Sequence, residues 1–214
     1  MLALFVSAFV TLFVVLDPPG CVPIFSSLTT GGSGDYRRTM AIRSTTIASV
    51  VMLLFAVVGE GFLGALGISL AAFRIAGGIM VFLIAIDMVF ERRTERRENR
   101  ANDVTREAEA KGNVVPDDIS VFPMAIPMIA GPGSIAAIML LMARARGWGE
   151  SLVVLGALAA VLLVMLACLL AAGPLMRLMG HKLEAMITRL LGVVLAALAT
   201  QFVIDGLREA FRLA

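Results

Sequence analysis

The chain has 214 residues, 59% of them hydrophobic and only 16% charged, where soluble domains run at about 45–50% apolar and roughly 25% charged. Segment 91–118 holds seven of the 18 basic and eight of the 16 acidic residues, which leaves 186 residues with 19 charges. That balance, with a mean hydropathy of +0.94, excludes an ordinary soluble enzyme and a disordered chain, and a net charge of +2 offers no footprint for nucleic acid.

A helix needs about 20 mostly apolar residues to cross a bilayer. Six stretches meet this: 2–29 (interrupted), 40–62, 68–90, 119–142 (interrupted), 151–173 and 185–207. They are rich in Leu, Ala and Met and lack the polar alternation of barrel strands. Met1–Leu16 lacks a basic leading region and a small-residue cleavage site, so it reads as a retained span rather than a signal peptide. The expected fold is all-α and transmembrane, with three spans in 1–90, a charged linker at 91–118 and three spans in 119–214. The linker alternates sign from Glu91 to Arg100. It reads as a solvated helical extension followed by a flexible link through Gly112 and Pro116.

Lys and Arg concentrate in cytoplasmic connections. The first, third and fifth connections hold 12, including Arg177 and Lys182, against four in the remaining connections and tails. Both termini are expected outside, with 91–118 in the cytoplasm. Cys21, Cys168 and the single His181 cannot build a His/Cys zinc site, so no metal or cofactor is expected.

The two interrupted spans correspond to one another. Phe9 and Pro19-Gly20 superpose on Phe122 and Pro132-Gly133 at an offset of 113 residues, and Arg74-Ile75-Ala76-Gly77 resembles Arg189-Leu190-Leu191-Gly192 at 115. Because each half has three spans, the second must enter from the opposite side, giving two inverted repeats, a recurrent plan of secondary transporters. Paired Gly/Pro interruptions point to the substrate site. In Asp17-Pro18-Pro19-Gly20, Asp17 suits an N-cap and Pro18 the first helical position, leaving the N–H groups of Gly20 and Cys21 as donors. In Gly131-Pro132-Gly133-Ser134 the same reading starts a second half-helix. Two helix N-termini at one midplane cavity favour a carboxylate, and Gly20 and Gly133 are read as leaving room for a small ligand.

Intramembrane ionisable residues are functional candidates by default. Asp17 is therefore a cap, or a cation or proton coupling site. Arg74 and Arg189 are candidates to bind ligand or to brace the bundle, Arg74 with Glu60. Thr200 and Gln201 are candidates for the pocket or for helix–helix hydrogen bonds.

At these motifs the chain resembles the MarC family of bacterial and archaeal integral membrane proteins, which includes transporters of small neutral amino acids (the SnatA type). The resemblance is carried by Asp17-Pro18-Pro19-Gly20 with Pro23-Ile24-Phe25, and by Ala125-Ile126-Pro127 with Ala130-Gly131-Pro132-Gly133-Ser134-Ile135. Phe73-Arg74-Ile75-Ala76-Gly77-Gly78 and Arg189–Gly192 add to it. It implies a six-span bundle in a plasma (inner) membrane that transports glycine, alanine or similar amino acids, with Asp17–Gly20 and Gly131–Ser134 as binding elements. Protons are the expected coupling partner, lipid the surroundings, and a homo-oligomer is left open. The alternatives are a passive channel or an exporter of other small solutes, drugs included. An intramembrane enzyme is disfavoured, because Ser134 has no base at hand and Asp17 no second carboxylate.

Overall fold

The computed structural model describes residues 1–110, 112 and 116–211, and their side chains apart from 93, 94 and 178–185. The side chains of Arg93, His181 and Lys182, and Lys111 and Arg212 as a whole, which entered the tallies above, lie outside the described residues. Among the described residues the secondary structure is helical and contains no strand. The elements are α1 (Leu2–Leu16), α2 (Pro18–Leu28), α3 (Gly34–Ala65), α4 (Leu70–Val89) and α5 (Arg92–Ala110), then a wide-turn segment (Ser120–Ile129), α6 (Pro132–Arg144), α7 (Trp148–Leu170) and α8 (Ala172–Phe211).

Five described helical stretches are long and apolar enough to cross a membrane: Leu2–Leu28, Gly34–Ala65, Leu70–Val89, Trp148–Leu170 and Met186–Phe211. A sixth span arises if the wide-turn segment and α6, bent by 53°, count as one. Two boundaries differ from the sequence reading. Helix α3 begins six residues before position 40, because Ser33 caps it through the Tyr36 amide and Asp35 sits in the first turn. The connection expected near 174–184 is helical, as α8 runs unbroken from Ala172. Pro174, in its first turn, removes only a donor that has no intrahelical partner there.

The wide-turn segment is not the regular helix that a 119–142 span implies. Pro123 and Pro127 lack the N–H that an α-helix interior requires. The chain instead closes i→i−5 turns, Met124 N–H to Ile119 O and Ala130 N–H to Ala125 O, with extended backbone at Phe122 and Ile126. Its entry is fixed by Asp118, whose Oδ1 accepts from both the amide and the hydroxyl of Ser120 and whose Oδ2 pairs with Arg43 at 3.0 Å. Partial burial would raise the Asp118 carboxyl, but the Ser120 donors and Arg43 outweigh it and hold it below the usual carboxylate range.

The core is a continuous cluster of α1, α2, α6 and α7 side chains joined by one face each of α3, α4 and α8. The α4–α8 pair forms the most extensive helix contact. It is close because glycine lies on both sides: a Cβ at Gly78 would meet Ala199 O and Val203 N at 3.0 Å, and one at Gly192 would meet Met88 Cβ at 3.0 Å. Small residues let helix backbones approach where lipid supplies no hydrophobic drive.

Candidate functional site

The first break is built locally. Asp17 adopts left-handed backbone (φ 57°, ψ 64°) between α1 and α2, a conformation that costs a non-glycine residue roughly 1–2 kcal/mol. Its N–H closes α1 on Phe13 O, Pro18 starts α2, and its Oδ1 accepts from the Gly20 amide at 3.1 Å. The Cys21 amide bonds to Asp17 O at 3.2 Å, and the buried Cys21 thiol approaches Leu16 O at 3.8 Å. The expectation that the Gly20 and Cys21 amides are free for a ligand is therefore corrected: Asp17 takes both. The space at Gly20 is also filled, since a Cβ there would lie 2.1 Å from Asp17 Oδ2.

Asp17 is 1% exposed, and a buried carboxylate needs a partner. That partner comes from the charged segment. Arg97, 5% exposed, donates from Nη1 to Asp17 Oδ2 at 2.9 Å and from Nη2 to Met128 O at 3.4 Å. Arg97 thus ties the cap of α2 to the wide-turn segment. The reading of 91–118 as a solvated tether is corrected in the same place. Helix α5 is seated by Arg97, Ala101, Val104 and Ala108, which pack inward. Their spacing of four, three and four residues places them on one helix face. That stripe in an otherwise charged helix was the signal available in the sequence.

The second break opens onto a cavity of about 370 Å³. Gly131 precedes α6 in extended backbone and Pro132 starts the helix, without any side-chain cap. Gly131, Pro132, Gly133 and Ser134 all line the cavity, with Val15 from α1, Met80, Leu83, Ile84 and Asp87 from α4, Pro127 and Met128 from the wide-turn segment, and Arg96, Arg97 and Arg100 from α5. Gly133 does not simply leave ligand space, because a Cβ there would meet Ile84 Cδ1 at 2.0 Å. Asp87 pairs with Arg96 at 2.5 Å. Ser134 is 3% exposed, and its hydroxyl makes no hydrogen bond among the described residues. The α6 N-terminus brings its positive dipole end to the cavity; of the three guanidiniums, Arg97 is paired with Asp17 and Arg96 with Asp87, and Arg100 is exposed.

Asp17, Pro18, Pro19, Gly20 and Cys21 are not part of this lining; Arg97 links them to it. The remaining sequence candidates lie elsewhere. Arg74 pairs with Glu209, not with Glu60, and also donates to Ala143 O at 3.2 Å. Near it, Arg144 pairs with Asp205 and covers the Phe202 ring at 4.4 Å. Gln201 donates to Asp205 Oδ1 at 2.8 Å and Thr200 to Ala196 O at 2.8 Å. Both therefore bond within α8 rather than across helices. Arg189 pairs with Glu91 at 2.6 Å. The sequence reading missed Asp87, Arg96, Arg97 and Arg100 as residues of this cavity.

Comparison with known proteins places this architecture. The chain is 37% identical over 206 residues to the UPF0056 membrane protein MJ1677 of Methanocaldococcus jannaschii, covering 96% of this chain and 97% of that one. It is 34% identical over 209 residues to a UPF0056 membrane protein of Archaeoglobus fulgidus, covering 97% and 94%. It is 33% identical over 215 residues to the UPF0056 inner membrane protein YhgN of Escherichia coli, covering 95% of each. No solved structure matches. The profile of the MarC family of integral membrane proteins matches residues 2–211, and the chain belongs to that family.

Proposed function

We propose that this protein is a secondary transporter of small neutral amino acids such as glycine and alanine. The observation that carries the reading is the cavity at the start of α6, which an uncapped helix N-terminus, guanidinium groups, Asp87 and apolar side chains line together. Its volume lies at the small end of the roughly 300–1,000 Å³ typical of ligand pockets. The substrate carboxylate sits at the α6 N-terminus and the ammonium at Asp87. Asp17 is a poor ammonium site, since Gly20 N–H and Arg97 already occupy its two oxygens. It serves instead as the coupling group, because a proton on it would weaken the hold of Arg97.

Alternating access comes from rocking two inverted three-span halves, with α1–α2 and the wide-turn segment–α6 as the discontinuous first and fourth spans. The packing pattern supports this. Exchanging α1 with the wide-turn segment, α2 with α6, α3 with α7 and α4 with α8 turns each principal contact into another observed one. For example, α1·α7 becomes the wide-turn segment against α3, and α2·α8 becomes α4·α6. In this reading the protein resides in the plasma (inner) membrane with both termini outside and α5 in the cytoplasm.

The test is transport by purified protein in liposomes. Saturable uptake and counterflow of labelled alanine or glycine are expected under a proton gradient. Absence of both under any proton or sodium gradient would overturn the proposal, and flux that neither saturates nor shows counterflow would indicate a pore.

A further inference from the structure

The cavity occupies one end of the seam between α4 and α6, and a second group of charged residues closes the other. Helix α6 runs antiparallel to α4: Gly133 lies against Ile84, Leu140 against Gly77, and Ala143 O accepts from Arg74. Helix α8 is antiparallel to α4 as well, with Gly192 against Ala85 and Met88, and Gly206 against Ala71 and Ile75. At the end away from the cavity the three helices are bridged. Arg74 of α4 pairs with Glu209 of α8, and Arg144 of α6 pairs with Asp205 of α8.

The α4–α8 pair carries a similar bridge at its opposite end, where Arg189 of α8 pairs with Glu91, just beyond α4. Arg189 and Glu209 are 20 residues apart on α8, a rise of about 30 Å that matches the hydrocarbon depth of a bilayer. The two ends are closed differently. Away from α5, the Arg74 and Arg144 side chains are only 15% and 31% exposed, and Arg144 covers the Phe202 ring. On the α5 side, those of Arg96 and Arg189 are 63% and 56% exposed, and α6 starts at the cavity rather than at an ion pair. The tighter cluster is not fully satisfied, since Arg74 Nε is buried without a hydrogen-bond partner among the described residues. That is a cost which rearrangement of the cluster can relieve. Partly exposed ion pairs are individually weak, so such a closure can break and reform.

We infer that Arg74, Arg144, Asp205 and Glu209 form a gate, shut in this structure, that seals the cavity from the membrane face away from α5. Opening it parts the end of α6 from α8 and connects the cavity to that face. The Arg189–Glu91 bridge is its counterpart on the α5 side, and motion that opens one end tightens the other. For its purpose this rests on the transporter reading above, but the gate requires no particular substrate.

The experiment is thiol labelling of the full chain, lacking Cys21 and Cys168, in membrane vesicles of both orientations. A membrane-impermeant maleimide is offered to one face at a time. Leu140→Cys, buried one turn before Arg144, reports opening away from α5, and Ser134→Cys, on the cavity wall, reports access from the α5 side. Asp205→Asn should speed labelling of Leu140→Cys from the face away from α5 at least tenfold, and should slow labelling of Ser134→Cys from the α5 side. The exchange Arg144→Asp/Asp205→Arg should return Leu140→Cys toward its original rate, whereas Arg144→Asp alone should not. If labelling responds in this way while liposomes take up neither alanine nor glycine, the gate stands and the amino-acid reading falls. The inference is overturned if Asp205→Asn leaves Leu140→Cys unchanged, or if the exchange labels as fast as Arg144→Asp alone. It is equally overturned if both reporters speed up together, as loosened packing would make them.

Discussion

Asp17 and Arg97 stand 80 positions apart in the chain and meet with side chains only 2% and 6% exposed. Deleting one member of a buried pair strands the other charge, at a cost of roughly 3–5 kcal/mol, whereas removing both relieves that penalty. Arg97→Gln should therefore destabilise the protein strongly. The double variant Asp17→Asn/Arg97→Gln should recover much of the loss, since Asn still caps helices well and tolerates the left-handed backbone at position 17. Thermal unfolding of the four proteins of this cycle in detergent checks it, and additive effects of the two substitutions would refute the pairing. The capping role of Asp17 was legible in the sequence, because an N-cap acts on amides two or three residues away. Its ionic partner was not, because no local rule connects residue 17 to residue 97.

Among the elements, the α4–α8 pair is held close by glycines that the facing helix touches, Gly78 against Ala199 and Val203, and Gly192 against Ala85 and Met88. The resemblance of the Arg74–Gly77 and Arg189–Gly192 motifs does not extend to these contacts, since Gly77, the counterpart of Gly192, faces Leu140 and Ala136 of α6. Gly78→Leu or Gly192→Leu should force the backbones apart and cost about 1–3 kcal/mol. Gly156→Ala, whose Cβ would meet nothing within 4 Å, should instead be neutral or stabilise α7 by roughly 0.5–1 kcal/mol. Unfolding temperatures of the three variants decide this, and equal losses in all three would remove the packing explanation. The arginines of the same motifs brace rather than line the cavity: Arg74 joins α4 to Glu209 of α8 and Ala143 at the end of α6. Helix α5 shows where element-level reading stops. Its sign alternation describes the exposed face correctly, but four inward residues decide that the helix docks.

For the molecule as a whole, the pairing pattern makes α6 a rod of 13 residues with the cavity at one end. At the other end lies the cluster of Arg74, Arg144, Asp205 and Glu209. In the proposed topology the two ends of this rod face opposite sides of the membrane, so α5 and the 145–147 connection should be separated by it. In a variant lacking Cys21 and Cys168, a cysteine at the exposed Asp103 should react with an impermeant thiol reagent only from the cytoplasmic side. One at the exposed Arg146 should react only from outside. Labelling of both positions from one face would overturn the proposed topology.

By itself the sequence determined the all-helical, membrane-spanning character of the chain and the rough limits of most spans, the break at Asp17, the start of α6 at Pro132 and membership in a membrane family. All of these depend on hydropathy, prolines and caps acting within a turn or two. Only the tertiary structure decided which polar groups meet. It set Arg97 on Asp17, Arg74 on Glu209 rather than Glu60, Ile84 in the space beside Gly133, and the α5 arginines on the cavity. In a bilayer a buried charge must find a partner wherever the packed helices bring one within reach, and the order of residues along the chain does not specify that distance.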